Sequence, residues 1–224
     1  MNQNFGVIVL AAGASADRQR PKQLLPYLGK TLIEHAAVTA LASGAREVIV
    51  VVGSDAPALR EKLKNLPVRV VFNRDWDEGM SSSIRCGIAA LSPEIGCAVI
   101  ALCDQPRMTP GLLRDLAQRQ FESGAAIVAS SYDGVVGAPS AFGIEAFPEL
   151  MALQGVSGAR DVIRRSPVPI ETIEFSGGNI DIEAPELFKW FLFPQTVEPL
   201  LDMQLSPWVA RGPPQLMRRL SSTA

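Results

Sequence analysis

A glycine turn followed by basic side chains is the first feature of the sequence that could do chemistry. An apolar run empties into Ala11, Ala12 and Gly13, and the loop that follows carries Arg18 and Lys22. Small side chains and a glycine let a backbone approach a flat or anionic ligand closely and direct its N–H groups at it. Neighbouring cations add counter-charge, so the pattern indicates phosphate binding. A tight turn beside a solvated basic surface is the structural alternative.

A carboxylate is the second such feature. Asp104 follows the apolar run "CAVIALC" and precedes "QP". Mg²⁺ favours one or two protein carboxylates, with water and phosphate oxygens completing its octahedron. The alternative is an ordinary turn or cap aspartate before Pro106. Together with the basic loop, Asp104 predicts a site for phosphoryl or nucleotidyl transfer.

The third feature is a run of hydroxyl side chains, Ser81, Ser82 and Ser83, at the start of the predicted helix "MSSSIRCGIAAL". Hydroxyl and free N–H groups there can cap the helix, or can bind an anion or the polar edge of a base. Capping is the role predicted for at least two of the three.

Apolar runs and helical periods alternate along the chain and must position these groups. Runs of Val, Ile and Leu without polar alternation are typical of strands covered on both faces, as in a parallel sheet built from βαβ units. The fold class is therefore predicted as α/β, doubly wound and mostly parallel, with helices on both faces. The segment "YDGVVGAPSAFG" is predicted as a hairpin or an insertion. In such sheets ligands bind beyond the carboxyl ends of the strands, where the strand order reverses.

Two nucleotide-binding motifs are absent. The run "LGKT" lacks the earlier glycine of a P-loop, because Leu24 stands in its place. After Gly13 the next glycine is Gly29, so the dinucleotide fingerprint GxGxxG fails. This disfavours a nicotinamide or flavin enzyme of the Rossmann type.

Composition sets the outer limits. The 224 residues carry a formal net charge of −2, which provides no basic stripe for nucleic acid and no polybasic membrane patch. The three cysteines lack the spacing of a zinc site or a disulfide framework. No signal core or apolar run of about 20 residues is present, so a soluble, cytoplasmic protein is expected. Residues 188–224 are rich in proline and aromatic residues, and are predicted as a tail after a domain of residues 1–187.

Six segments in order resemble the molybdenum cofactor cytidylyltransferases of the nucleotidyltransferase superfamily, whose fold is Rossmann-like. They are "LAAGASADRQRPK", "NRDWDEGMSSS", "CDQP", "GAP", "GVSGAR" and "DIEAP". The resemblance covers residues 5–187. It implies transfer of CMP from CTP to the terminal phosphate of molybdopterin-bound molybdenum, with release of pyrophosphate and with Mg²⁺. A recipient molybdoenzyme is a further implied partner.

The resemblance also implies roles for single residues. The phosphates would lie at Lys22 and the metal at Asp104, with a second metal contact at Asp181 or Glu183. Guanylyltransferase relatives typically read LAGG where this chain reads "LAAG", which points to a pyrimidine nucleotide. The residues implied near base, ribose and phosphates are Ala11, Ala12, Gly13, Arg18 and Ser83.

Four positions depart from the family pattern and keep two alternatives open. Asp17 stands where the family has arginine, and Val156 stands where it has an acid; Gln19 and Glu183 also differ. Arg18 or Arg20 is predicted to replace the missing arginine through a shifted loop. The first alternative is a nucleotidyltransferase for another phosphate acceptor, such as a sugar or polyol phosphate. The second is a weakly active module that binds or delivers the cofactor.

Overall fold

The computed structural model describes residues 4–14 and 21–180. Nine strands lie in these ranges: β1 Phe5–Ala11, β2 Pro26–Tyr27, β3 Lys30–Thr31, β4 Glu47–Val52, β5 Arg69–Phe72, β6 Cys97–Leu102, β7 Ile127–Tyr132, β8 Val135–Gly143 and β9 Glu171–Glu174. The α-helices there are α1 Leu32–Ala42, α2 Ala56–Leu63, α3 Met80–Ala89, α4 Pro110–Ser123, α5 Phe147–Met151 and α6 Ala159–Arg165.

Seven of the strands form one sheet in the order β5-β4-β1-β6-β8-β7-β9. β1 pairs in parallel with β4 on one side and with β6 on the other. The chain therefore moves outward from β1 to β5 and then crosses back to β6, so the strand order reverses between β1 and β6. A crevice outside the carboxyl ends of these two strands is the usual ligand site of this architecture.

Two apolar clusters cover the two faces of the sheet. One joins side chains such as Val7 and Val9 of β1 to α1, α2 and α4. The other joins Ile8 and Leu10 to α3, α5 and α6. Burial of consecutive side chains on opposite faces explains why β1 reads as an unbroken apolar run. The predicted doubly wound α/β class, mostly parallel with helices on both faces, is confirmed.

The segment predicted as a hairpin or insertion is both. β8 turns back from β7 through Asp133 and Gly134, which both have positive φ. It then inserts between β6 and β7 and runs antiparallel to each. Its insertion leaves β6 and β7 pointing the same way, so their carboxyl ends share one edge of the sheet.

Across residues 4–14 and 21–180, no helix combines the length and the apolar character needed to cross a membrane. The predicted tail of residues 188–224 lies outside the described residues, so its boundary stays a prediction.

Candidate functional site

The turn after β1 lies at the point where the strand order reverses. Ala11 and Ala12 are buried, while Gly13 and Ala14 are exposed. The φ of Gly13 is not in the left-handed region, so the backbone conformation alone does not require glycine here. Among residues 4–14 and 21–180, no atom lies within 4 Å of a Cβ built on Gly13. The described part of the chain therefore leaves the space beside this backbone open.

The turn is held from both sides through its carbonyl groups. The Gln23 side chain donates from Nε2 to the carbonyl oxygens of Ala11, at 3.3 Å, and Gly13, at 2.7 Å. The carbonyl of Ala12 accepts from the backbone N–H of Ser54 at 3.3 Å. Gln23 is 1% exposed. The backbone of the turn is thus fixed by buried contacts rather than by the turn alone.

Lys22 and Asp104 meet in front of this turn. Lys22 begins a short 3₁₀ turn, Lys22–Leu24, and Asp104 follows β6, whose end is tied to β1 by a hydrogen bond from the N–H of Cys103 to the carbonyl of Leu10. The Nζ of Lys22 lies 2.5 Å from Oδ2 of Asp104, and their side chains are 25% and 14% exposed. The cation and the carboxylate predicted from sequence are therefore in one place.

The second carboxylate oxygen of Asp104 fits a metal ligand. Its Oδ1 is buried and has no hydrogen-bond partner in the described part of the chain. An unpaired buried carboxylate oxygen is costly unless a cation or donor reaches it. Among the same residues, no group of three or more His, Cys, Asp or Glu side chains could hold a metal. Asp104 could hold a divalent metal as a single carboxylate, with water and phosphate oxygens completing the shell.

An amide links β5 to the start of α3. Asn73 is 4% exposed and donates from Nδ2 to the hydroxyl oxygens of Ser82, at 2.8 Å, and Ser83, at 3.1 Å. Its Oδ1 accepts from the N–H of Asp75. The predicted capping role of the serines is wrong, because the N-cap is Gly79. Gly79 has a φ of 117°, and no serine hydroxyl accepts from the first turn.

The start of α3 packs against the loop that carries "GVSGAR". Both the N–H and the hydroxyl of Ser81 donate to the carbonyl of Gly155. A Cβ on Gly79 would lie 2.6 Å from that same oxygen, so this close approach requires glycine. Val156 is 90% exposed. Two of the six sequence motifs are thus joined, and the departure at Val156 faces solvent beside them.

The motif "CDQP" contacts the motif "GAP". Gln105 is 3% exposed and donates from Nε2 to the carbonyl oxygens of Ala138, at 3.1 Å, and Gly178, at 3.3 Å. These contacts connect the end of β6 to β8 and to the segment after β9. The same edge of the sheet therefore continues from Asp104 toward the β7–β9 side.

Burial shifts the pKa of two further groups, His35 and Cys103. His35 lies in α1, with Nε2 3.1 Å from the carbonyl oxygen of Pro106. Burial lowers its pKa, against the effect of that carbonyl. Burial raises the pKa of the Cys103 thiol far above its ordinary value, and Asp104 adds to the effect. Cys103 therefore stays protonated and is not a thiolate nucleophile.

The predicted site residues fall into three groups. Ala11, Ala12, Gly13, Lys22 and Asp104 lie together at the strand reversal. Ser83 lies at the start of α3 and is engaged by Asn73. The remaining predictions lie outside the described residues, and these are Arg18, Asp181 and Glu183, together with the departures Asp17 and Gln19.

Sequence reasoning missed Gln23 and Gln105. Both are long polar side chains in loops, where exposure is the ordinary expectation. The available signal was position, since Gln23 follows Lys22 and Gln105 follows Asp104.

The family model described as the MobA-like NTP transferase domain matches residues 7–170. The match contains β1 from Val7 onward with its turn, together with Lys22, Asn73 and Asp104.

Nicotine blue oxidoreductase from Paenarthrobacter nicotinovorans is 33% identical over 183 residues, which cover 75% of this chain and 86% of the relative. A nucleotidyl transferase from Methanothermobacter is similar in structure, with a TM-score of 0.71, 26% identity, and coverage of 86% of this chain and 99% of that one. Rv0371c of Mycobacterium tuberculosis H37Rv, in complex with manganese, gives a TM-score of 0.67 at 28% identity, covering 77% and 88%.

Proposed function

Because the chain belongs to the MobA-like NTP transferase family, we propose that it transfers CMP from CTP to the terminal phosphate of molybdopterin-bound molybdenum, with Mg²⁺ as its metal. Pyrophosphate is the second product. The observation that carries the proposal is the contact of Lys22 Nζ with Asp104 Oδ2, 2.5 Å apart, in front of the open turn after β1.

The chemistry needs charge neutralisation more than proton transfer. The second pKa of a phosphate monoester is about 6, so the attacking oxygen is already ionised near neutral pH. The protein therefore needs no general base, which agrees with a chain that has one histidine. Lys22 lies where it would hold the triphosphate and stabilise the negative charge that grows on the leaving pyrophosphate. When bound, Mg²⁺ would supply further charge neutralisation and orient the phosphates.

The turn supports the nucleotide part of the proposal. The carbonyl groups of Ala11 and Gly13 are held by Gln23, while the space beside Gly13 is open. Ala12 replaces the glycine of the guanylyltransferase pattern, which favours a pyrimidine base. Ser83 and Asn73 would lie on the ribose and base side. The complex of the structurally similar Rv0371c with manganese supports a divalent metal as cofactor.

The acceptor is supported by the six ordered motifs of the resemblance. Two pairs of these motifs are in contact in the structure: "GMSSS" with "GVSGAR" through Gly155, and "CDQP" with "GAP" through Ala138. A recipient molybdoenzyme would then take up the finished cofactor.

Pyrophosphate release tests the proposal. The protein is incubated with Mg²⁺, one nucleotide from the set CTP, UTP and GTP, and one acceptor from the set molybdenum-loaded pterin, metal-free pterin, a sugar phosphate and a polyol phosphate. Release that requires CTP and the loaded pterin supports the proposal. Release with CTP and a sugar or polyol phosphate alone would move the function to that acceptor class. No release with any combination would contradict nucleotidyl transfer.

A second candidate function is an oxidoreductase acting on nicotine blue or a related compound. It is favoured by the 33% identity to nicotine blue oxidoreductase over 86% of that relative. It is disfavoured by the absence of GxGxxG after β1. Incubation with nicotine blue and a reduced nicotinamide nucleotide, with oxidation of the nucleotide followed by absorbance, separates the two. Such oxidation without pyrophosphate release would support the second candidate.

A further inference from the structure

We infer that Gln23 is a positioning residue for nucleotide binding, because its buried side chain orients the N–H groups of the turn after β1 and, through the same 3₁₀ turn, sets the place of Lys22. The inference rests on the proposed function, since it names how that site is held in its binding geometry. Gln23 does not itself contact the reacting groups.

The hydrogen bonds of Gln23 set the direction of the peptide groups in the turn. A trans peptide is planar, so its C=O and its N–H point in opposite directions. Gln23 fixes the carbonyl oxygens of Ala11 and Gly13 on its own side. The N–H groups of the following residues, Ala12 and Ala14, therefore point away from Gln23. The hydrogen bond from Ser54 to the carbonyl of Ala12 directs the Gly13 N–H away from Ser54 in the same manner.

Two backbone N–H groups of the turn are available to a ligand. Within the described residues, neither Gly13 nor Ala14 donates its N–H to any acceptor, and both residues are exposed. An exposed backbone N–H without an internal partner is able to donate to a phosphate or to the polar edge of a base. Of these two donors, Gln23 orients the N–H of Ala14 through the carbonyl of Gly13, and Ser54 orients the N–H of Gly13 through the carbonyl of Ala12.

Gln23 also links the turn to the cation of Lys22. Gln23 lies inside the 3₁₀ turn that Lys22 begins, and the turn is closed by bonds from Leu24 to Pro21 and from Leu25 to Lys22. Because the Gln23 carboxamide is anchored to β1, the neighbouring Lys22 is anchored at a fixed distance from it. Lys22 then reaches Asp104 from a rigid base rather than from a mobile loop. One buried side chain therefore sets both the neutral donors and the charged donor of the site.

Gln120 offers a matched control. It is also buried, at 6% exposed, and it also donates from Nε2 to a backbone carbonyl, that of Ala125 at 3.2 Å. It lies in α4, whose contacts are with the apolar core rather than with the turn after β1. Replacing either glutamine by glutamate places a carboxylate against a carbonyl oxygen, with an equal change in size.

The experiment compares wild type, Gln23→Glu and Gln120→Glu at a temperature where all three are folded by circular dichroism. CTP binding with Mg²⁺ is measured by calorimetry at about pH 8 and about pH 6, because burial raises a carboxyl pKa and a protonated carboxyl regains a donor. For Gln23→Glu we expect affinity lower by roughly tenfold at the higher pH, since about one net hydrogen bond is lost, and partial recovery at the lower pH. Gln120→Glu is expected to bind as the wild type does at both.

Hydrogen exchange of the peptide containing residues 11–14 separates this inference from the proposed function. Faster exchange in Gln23→Glu than in Gln120→Glu supports the orienting role whatever the substrate is. Equal exchange and equal CTP affinity in the two variants would overturn it. A third outcome is that the wild type binds no nucleotide while Gln23→Glu alone changes the exchange rate. That outcome would contradict the proposed nucleotide binding but support the role of Gln23 in orienting the turn. If Gln23→Glu does not fold, Gln23→Met, which keeps the volume, replaces it in both measurements.

Discussion

The ammonium group of Lys22 lies 2.5 Å from the Asp104 carboxylate, although 82 positions separate them in the chain. The two residues come from the loop after β1 and from the end of β6, the adjacent parallel strand. Their meeting place is the reversal point of the strand order. In the proposed function, Lys22 binds phosphate and Asp104 binds the metal. The two groups are already in contact before substrate binds.

Removal of the Lys22 cation is expected to abolish catalysis and to tighten metal binding. In Lys22→Met, pyrophosphate release should fall at least about 100-fold, because one preorganised donor to developing charge is lost. The Asp104 carboxylate also loses its competing cation, so Mn²⁺ should bind several-fold more tightly without nucleotide. Calorimetry with Mn²⁺ measures the second effect independently of activity. Lys64→Met, which removes an exposed lysine of the α2 end, should change neither; unchanged turnover in Lys22→Met would refute the role of Lys22.

Loss of the Asp104 charge is expected to remove the metal site. Asp104→Asn keeps the shape of the side chain but leaves an amide, a weak ligand for Mg²⁺. Mn²⁺ affinity should fall at least roughly tenfold and pyrophosphate release roughly 100-fold or more. Asp115→Asn, at an exposed position of α4, is the control. Metal affinity equal to that of wild type in Asp104→Asn would place the metal elsewhere.

Asn73 is expected to contribute to folding as well as to the site. Asn73→Ala leaves Ser82 and Ser83 without their shared donor, in a buried position where such losses cost about 1–3 kcal/mol. A denaturant titration should show that decrease in the free energy of unfolding. Asn179→Ala, which removes the exposed contact with Asp133, should cost less than about 0.5 kcal/mol. Equal effects of the two substitutions would contradict the role of Asn73 as the link between β5 and α3.

Val156 tests whether the departure from the family pattern limits activity. Because Val156 is 90% exposed, Val156→Glu should change the free energy of unfolding by less than about 0.5 kcal/mol. It restores the acid that precedes "GAR" in the family pattern, so turnover with the molybdenum-loaded pterin should rise. Val168→Glu, at another exposed valine, is the matched control. A rise shared by both variants, or by neither, would show that position 156 does not tune the reaction.

His35 predicts a pH dependence of stability. Burial lowers its pKa from the ordinary value of 6.5, so the unfolded chain takes up a proton at a pH where the folded protein does not. This contribution to stability is present above pH 6.5 and is lost as pH falls below it. The midpoint temperature of thermal unfolding should therefore fall more steeply below that pH for the wild type than for His35→Gln. Parallel pH profiles of the two proteins would contradict the assignment.

The parallel core of the fold was predictable because covered strands and amphipathic helices leave local patterns. The apolar runs in the sequence end within about two residues of the observed ends of β1 and β6. Because both strands are parallel, their ends predicted that the basic loop and Asp104 lie at one edge of the sheet. The position of β8 was not predictable, because insertion between β6 and β7 is a long-range pairing that local periodicity does not encode.

The finer site geometry depends on contacts that no local rule supplies. Serines at a helix start normally cap it, but Gly79 occupies the cap position and Asn73 recruits the hydroxyls instead. Gln23 is buried where its side chain donates to two carbonyl groups at the end of β1. Such side-chain to backbone bonds follow from the assembled fold.

Pyrophosphate release from CTP with molybdenum-loaded pterin and Mg²⁺, compared between wild type and Lys22→Met, tests the central claim most directly. The account predicts release by the wild-type protein that requires all three components and falls at least about 100-fold in Lys22→Met. Release that is absent from the wild type, or equal in the two folded proteins, would contradict it.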